Sequence, residues 1–275
     1  MNRMMMVLLV TLLPARLFAA FAVDLPVVTH VQGASATFYT SLDVTNHSSA
    51  STAVSFEYIS SDLSVDAVGT LPSLGPHANF HTDDILTYLA TNNFITAAQG
   101  ASGFGTMLIG FSNPTFTTGT EASATARIYN YLNTGQRPSV GLAYRAVPLR
   151  LNGSHTVSTV IQDTSATTSG ASVVTNLGLE DVGINDAGQV DATPVTIQLT
   201  FYDPSTGAQV GPQPTVTLKP GQVTQINSVW ATYGLPTSVN NVVVVATETA
   251  GTAQIRGYVS LKDTGTNDGS FFFMQ

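Results

Sequence analysis

Two stretches of the chain share one pattern: Leu74–Leu86, which reads LGPHANFHTDDIL, and Leu218–Trp230, which reads LKPGQVTQINSVW. Each has an apolar residue, a turn with a proline, an alternating segment, and a polar residue before a short apolar run. Proline presets φ at a turn, and an Asp or Asn side chain accepts hydrogen bonds from free N–H groups at a helix start. Each stretch therefore predicts a turn, a strand and a capped short helix.

The segments around these two stretches also recur in the same order. The aligned pairs include 29–37 with 159–167, 40–44 with 175–179, 83–86 with 227–230, and Arg127 with Arg256. A period of about 130 residues exceeds that of solenoids or propeller blades and matches the size of a domain. The sequence therefore predicts a tandem duplication, with domain 1 over 23–147 and domain 2 over 148–275.

Composition and spacing indicate the fold class. Charged residues make up only 9% of the chain, whereas about a quarter is usual. Thr, Val, Gly and Pro are abundant, and many short alternating segments end at turn residues. No segment supplies the long helices that parallel strands require. We expect an all-β protein of two tandem antiparallel β-sandwich (immunoglobulin-like) domains, each with one short helix, joined by a stiff link at Pro148.

The N-terminus has the features of an export signal. Arg3 precedes the apolar run Met4–Leu13, and Ala20-Phe21-Ala22 fits the small-x-small pattern for cleavage before Val23. Pro14 and Arg16 end the run too early for a membrane span. We expect a signal peptide over 1–22, and a secreted, cell-surface or periplasmic protein without a membrane span after cleavage. The alternative is an uncleaved anchor or a buried N-terminal helix.

Charge and cysteine content exclude several classes of protein. The formal net charge is −8, which argues against binding to nucleic acid or to anionic membrane surfaces. The chain contains no cysteine. Disulfides, thiolate catalysis and cysteine-based metal sites are therefore excluded.

No arrangement of residues indicates an active site. A G-x-S-x-G motif is absent. Ser154, His155 and Asp163 lie in one segment, whereas catalytic triads converge from separate segments. The H-x₃-H pair of His77 and His81 falls on a predicted strand, where four residues span about 13 Å, too far for one zinc ion. We therefore predict that the protein is not an enzyme.

Calcium is the one cofactor that the sequence makes a case for. Hard cations bind several oxygen ligands from a flexible loop. Two loops are rich in such ligands, although neither has EF-hand spacing, and ordinary turns use the same residues. The candidate calcium ligands are Asp181, Asn185, Asp186 and Asp191 in the first loop, and Asp263, Asn267 and Asp268 in the second.

Three features carry a resemblance to a protein family. They are the segment HVQG at 30–33 followed by TSLDVTN at 40–46, the L-x-P-G turn with its capped helix, and DTGTND at 263–268 before the last strand. With them the chain resembles tandem β-sandwich modules of uncharacterised bacterial secreted and cell-surface proteins. The resemblance implies the fold and no functional residues. The first turn departs from it, because Gly75-Pro76-His77 replaces Pro-Gly.

These observations favour an exported, non-catalytic structural or adhesive surface protein. Its expected partners are protein or glycan at the cell surface, or other copies of the chain, bound through edge strands. The terminal segment Phe271–Gln275 is a candidate edge strand, and the alternative is that it pairs internally. A carbohydrate- or calcium-dependent binding module is the second hypothesis, and an enzyme with an unrecognised site is the third.

Overall fold

The computed structural model describes residues 21–33, 36–116, 120–130, 140–149, 154–164, 172–264 and 269–275. The first half contains β1 (Phe21–Gln32), β2 (Thr37–Asn46), β3 (Thr52–Ser60), β4 (Asp66–Leu74), β5 (Asn79–Thr82), α1 (Ile85–Thr91), α2 (Ala97–Ala101), β6 (Gly103–Phe111), β7 (Ala122–Asn130), β8 (Val140–Arg145) and β9 (Val147–Pro148). The second half contains β10 (Thr156–Gln162), β11 (Val173–Asn185), β12 (Val195–Tyr202), β13 (Thr215–Leu218), β14 (Val223–Ile226), α3 (Val229–Tyr233), β15 (Asn241–Ala250), β16 (Ala253–Asp263) and β17 (Gly269–Phe273).

Both halves are two-layered and have the same strand order. The first half has the layers β4-β3-β6-β1 and β5-β2-β7-β8, and the second has β13-β12-β15-β10 and β14-β11-β16-β17. The pairings among the described strands are antiparallel. The predicted all-β class with antiparallel sandwich domains is confirmed. Strands β1 to β8 correspond in order to β10 to β17, which supports a duplication.

Strand β1 joins the two layers of the first half. Its N-terminal part pairs with β6 from Phe21 to His30, and its last two residues, Val31 and Gln32, pair with β2. A register shift between Leu25 and Val28 interrupts the pairing with β6, a few residues before the pairing with β2 begins at Val31. A β-bulge of this kind increases twist and lets one strand turn from one sheet toward the other.

Two buried threonines connect the layers at equivalent places. Thr40 in β2 accepts a hydrogen bond from the backbone N–H of Thr29 and donates one to the carbonyl oxygen of the same residue. Thr175 in β11 makes the same two bonds to Gln162. The predicted alignment of Thr40 with Thr175 agrees with this geometry. The alignment of Thr29 with Thr159 is wrong by three residues, because the partner of Thr175 is Gln162.

The two proline turns have the same geometry despite their different sequences. Residue Ala78 donates its N–H to the carbonyl of Gly75 at 3.2 Å, and Gln222 donates to Lys219 at 2.9 Å. The third turn residue has positive φ in both, 55° at His77 and 75° at Gly221. Proline before a residue with positive φ defines a type II turn, which glycine adopts without strain and histidine does not. The departure from Pro-Gly in the first turn therefore changes the residue and keeps the turn.

The helices confirm one predicted cap and correct another. Asp84 caps α1, and its side chain accepts from the backbone N–H of Leu86 at 3.1 Å. Ser228 precedes α3 in the left-handed region, with φ 49°, and makes no side-chain capping bond. The cap predicted for the second copy from Asn227 is therefore wrong, and the side-chain oxygen of Asn227 accepts a hydrogen bond from the side chain of Gln225 instead. The first half also contains α2, which is capped by a reciprocal pair, Thr96 and Gln99.

The two arginines predicted to be equivalent lie at different positions. Leu42 pairs with Ala126, and its predicted counterpart Leu177 pairs with Val259. When Leu42 and Leu177 are superposed, Arg127 falls on Ser260 rather than on Arg256. The alignment of the arginines is therefore wrong by four residues. Because four is an even number, both side chains lie on the same face of their strands, but they have different neighbouring residues.

The predicted link between the halves is part of a sheet. Val147 and Pro148 form β9, which pairs with Asp24 and Val23 of β1. The hydrophobic cluster of the first half continues into the second, since it includes Val223. The boundary at 147/148 and the signal peptide remain predictions. Most of 1–22 lies outside the described residues, whereas Phe21 and Ala22 belong to β1. None of the helices in the described part of the chain could cross a membrane.

Candidate functional site

Aromatic side chains from both halves stack at the junction between the sandwiches. Phe271 of β17 lies between Tyr144 of β8 and Tyr258 of β16, with ring centroids 4.5 Å and 5.0 Å away and interplanar angles of 23° and 18°. Phe273 meets Phe271 edge-on at 5.4 Å. Tyr144 also donates its hydroxyl to the carbonyl of Val27. The terminal strand β17 therefore ends its layer, where it pairs with β16, and its aromatic side chains pack against the first half.

A buried polar cluster lies beside this stack. Asp24 of β1 is fully buried, and its carboxylate accepts from the guanidinium of Arg256 on β16. Arg256 also donates to the carbonyl oxygens of Val147, at 3.4 Å, and Pro148, at 3.1 Å. A residue of the second half therefore directs its guanidinium at three acceptors of the first half.

Thr106 and Glu180 complete this cluster. The hydroxyl of Thr106 lies 2.7 Å from Oε1 of Glu180, 3.2 Å from Oδ1 of Asp24 and 3.1 Å from the carbonyl of Leu25. One hydroxyl proton cannot satisfy three acceptors. The other carboxylate oxygen of Glu180 has no hydrogen-bond partner among the described residues. A second proton on Glu180 would resolve this shortage of donors.

The electrostatics agree with a protonated Glu180. Burial, and then the nearby charge of Asp24, raise the pKa of Glu180 well above 4.5, while Arg256 and the Thr106 hydrogen bond act in the opposite direction. Burial also raises the pKa of Tyr144 and Tyr258, with a smaller contribution from the charge of Glu180. With Glu180 neutral, Asp24 and Arg256 form a balanced ion pair.

In the first calcium-candidate loop, the side chains of Asp181 and Asn185 accept hydrogen bonds from backbone N–H groups of the same loop. Asp181 is fully buried and accepts from the N–H of Gly183 at 2.6 Å. The side-chain oxygen of Asn185 accepts from the N–H groups of Ala187 and Gln189, each at 3.0 Å. These bonds are typical of Asx turns, the alternative interpretation of this loop.

Asp186 and Asp191 have different partners. Asp186 lies 3.1 Å from Nε2 of His155. Asp191 accepts from the N–H of Thr193 at 2.8 Å and from the hydroxyls of Thr193 and Thr252. Burial is the largest single effect on the pKa of Asp191 and raises it. The hydrogen bonds from Thr193 and Thr252 together outweigh burial, so the pKa is lowered.

The second candidate loop is described only in part. Asp263 ends β16 and pairs with Val173, whereas Asn267 and Asp268 lie outside the described residues. Within the described ranges, no group of three or more His, Asp or Glu side chains is arranged to hold a metal ion. Calcium binding therefore remains a prediction.

Ser154, His155 and Asp163 do not form a triad. Ser154 donates its hydroxyl to the carbonyl of Thr156. His155 instead contacts Glu248 of β15 through Nδ1. The hydrogen bond to Glu248, and then that to Asp186, raise the pKa of His155, although partial burial opposes them.

A second histidine cluster surrounds the start of α1. His81 bridges Asp43 at 2.9 Å and Asp83 at 3.1 Å, and these side chains are largely exposed. The hydrogen bond to Asp83 raises the pKa of His81. His30 lies 2.7 Å from the capping residue Asp84. His81 thus pairs with carboxylates, not with His77.

A shallow cavity of about 220 Å³ lies at the start of β1. Its apolar wall includes Phe21, Val23 and Pro148, and its polar rim includes Ser123 and Arg145. This volume is below the roughly 300–1,000 Å³ of typical ligand pockets.

No protein-family model matches the chain, and no curated protein sequence matches it. Two solved structures are weakly similar. The PBSX exported protein XepA shares 10% identity, with 89% of this chain and 82% of that chain covered and a TM-score of 0.27. The viral chemokine-binding protein R17 of rodent gammaherpesvirus Peru shares 10% identity, with coverage of 92% and 84% and a TM-score of 0.20. At these TM-scores neither similarity supports an argument about this chain.

Proposed function

We propose that the protein is an exported, non-catalytic structural or adhesive module whose paired sandwiches bind at the cell surface. Its partners are protein or glycan, or other copies of the chain through an edge strand. The absence of charge from residues 67–74 of β4, the longest of the described edge strands, is the observation that carries the self-association proposal. The export proposal rests on the N-terminal sequence.

Strand β4 ends the first layer of the first half. Residues 67–74 contain no charged side chain, and Val68 is 42% exposed. Edge strands without charges are templates for the addition of another strand. Pro72 lacks an N–H and blunts the far end, which leaves 67–71 as the accessible edge.

Strand β10 provides the matched contrast. It also ends a layer, and its Val160 is 51% exposed. However, Ser158 bonds in both directions to the backbone of Gln275, and Gln162 is bonded by Thr175. Most of the outer edge of β10 is therefore occupied, whereas β4 has no equivalent pairing in the described strands.

Light scattering after size-exclusion chromatography, over a range of protein concentrations, tests this proposal. The expected result is a mass that rises with concentration. Val68→Lys should reduce the mass to that of a monomer, because a lysine on an edge strand opposes strand addition. Val160→Lys is the control and should leave the association unchanged. A monomer at every concentration would contradict self-association, and a glycan array would then test adhesion directly.

Calcium-dependent or carbohydrate binding is the alternative proposal. Its support is the position of Asn185 and Asp186 on a surface loop, where Asp186 is 48% exposed. A rise in melting temperature in excess calcium, lost in Asp186→Asn, would favour it over the edge-strand proposal. An unchanged melting temperature would count against calcium.

A further inference from the structure

The junction between the halves contains two kinds of interaction with different angular requirements. The stack of Tyr144, Phe271 and Tyr258 brings apolar rings of both halves together, and the hydrophobic effect that favours their burial is non-directional. The polar cluster of Asp24, Thr106, Glu180 and Arg256 depends on hydrogen-bond angles, which are narrow.

Arg256 is the directional element of this junction. Its planar guanidinium presents donors in a fixed fork. One nitrogen bonds to Asp24, and the two nitrogens reach the carbonyls of Val147 and Pro148. These acceptors lie on β1 and β9, which are paired with each other, so they form one rigid set. A rotation of either half would break several of these bonds together.

The contribution of such a polar cluster to stability is separate from its effect on the angle between the two halves. Desolvation of a buried ion pair largely cancels its attraction, so replacing the whole set by apolar residues is often neutral. A misplaced half, however, would leave Asp24 or Arg256 buried without a partner, which is strongly unfavourable. The polar set therefore penalises wrong orientations more than it stabilises the correct one.

We propose that the polar cluster of Asp24, Thr106, Glu180 and Arg256 fixes the angle between the two sandwiches, while the aromatic stack of Tyr144, Phe271 and Tyr258 holds them together. The chain is then a rigid two-sandwich unit with a defined orientation, which goes beyond the proposed surface function and does not depend on it.

The absence of native cysteine permits a direct test. Ala98→Cys in α2 and Ala231→Cys in α3 place one label on an exposed position of each half. Double electron–electron resonance on the full chain then gives the distribution of distances between the halves. The labelled parent protein should give a single narrow distribution.

Two variants separate the two roles. Asp24→Leu combined with Glu180→Met and Arg256→Met replaces the ion pair and the buried carboxyl group by apolar side chains of similar volume. We expect a melting temperature close to that of the parent and a distance distribution about twice as broad. Phe271→Ala should lower the melting temperature and keep the distribution narrow at temperatures where the chain is folded. A narrow distribution in the triple variant would overturn the proposal.

Arg256→Lys provides a second test if the triple variant does not fold. Lysine keeps the charge opposite Asp24 but loses the planar fork to Val147 and Pro148. The expected result is a broader distribution in a protein that still folds. A distribution as narrow as that of the parent would show that the stack alone sets the angle, and would refute the proposal.

Discussion

The hydroxyl of Thr40 bonds twice to the backbone of Thr29, accepting from its N–H at 2.8 Å and donating to its carbonyl oxygen at 3.0 Å. Thr175 has the same relationship to Gln162. Both threonines are fully buried. In each half, a threonine side chain of the second strand thus takes the place of a backbone group as the hydrogen-bond partner of the first strand. These bonds connect the two layers.

This relationship predicts an asymmetry between two substitutions at position 40. Thr40→Val keeps the shape but leaves a buried N–H and C=O without partners, and should lower the free energy of unfolding by about 2–4 kcal/mol. Thr40→Ser keeps the hydroxyl and should cost about 1 kcal/mol, for one methyl group. Urea unfolding measures both. Equal losses in the two variants would contradict the role of the hydroxyl.

Gly178 should not tolerate a side chain. It lies opposite Tyr258 in the β11–β16 pair, and a Cβ there would lie 2.0 Å from the tyrosine ring. Gly178→Ala should destabilise the protein by roughly 1–3 kcal/mol and disturb the aromatic stack, with a change in the near-ultraviolet circular dichroism. Gly75→Ala is the control, because its Cβ would meet nothing within 4 Å. A similar loss in both would argue against the clash with Tyr258.

Glu180 should make stability depend on pH. Its pKa is raised in the folded state, so above about pH 4.5 the folded chain retains a proton that the unfolded chain releases. The resulting stabilisation is complete below the unfolded pKa and is lost as pH rises toward the folded pKa. Glu180→Gln removes this dependence. The difference in free energy of unfolding between parent and variant should therefore shift in favour of the variant from pH 5 to pH 8, and a constant difference would refute the raised pKa.

His155 should titrate above its usual range, with Glu248 as the main cause. Glu248→Gln should lower the pKa of His155 more than Asp186→Asn does, since the Glu248 hydrogen bond contributes most. Proton NMR of the imidazole C–H resonances measures these values directly. By linkage, the pair stabilises the fold below the unfolded pKa, and that contribution disappears as pH rises through the folded pKa. A larger effect from Asp186→Asn would reverse the assignment.

The position of the first residue should affect stability. Phe21 is 8% exposed and stacks on Phe111, with ring centroids 6.0 Å apart. A recombinant chain that begins at Val23, as the signal-peptide pattern predicts, loses this burial. Its free energy of unfolding should be about 1.5–3 kcal/mol lower than that of a chain beginning at Phe21. Mass spectrometry of the protein isolated from its source gives the natural start, and equal stabilities of the two chains would show that Phe21 adds nothing.

Sequence patterns predicted those elements that are stabilised by interactions between residues close together in the chain. The Asp84 cap and the proline turns depend on neighbouring residues and could be predicted. Helix α2 was missed although Thr96-x-x-Gln99 is a capping-box pattern that predicts a helix start. The arginine alignment failed because strand register is set by partners distant in sequence, and a repeat with few matching residues does not specify it.

The polar junction could be predicted only in part. A single Asp24 between Val23 and Leu25 in an apolar strand indicates a buried charge that needs a partner. Nothing in the local sequence identifies Asp24 as the partner of Arg256. The pairing depends on how one sandwich packs on the other, and one sequence carries no information on that contact.

Asp24 and Arg256 are 232 positions apart along the chain, which has a consequence for the order of folding. During synthesis or passage through a membrane from the N-terminus, the first sandwich becomes available long before Arg256 does. Until Arg256 is available, the layer that carries Asp24 exposes its outer face to solvent. This face includes Leu108, which is buried in the complete protein. Contacts this distant form slowly. The contact between Asp24 and Arg256 is therefore expected to form after the contacts within the first sandwich.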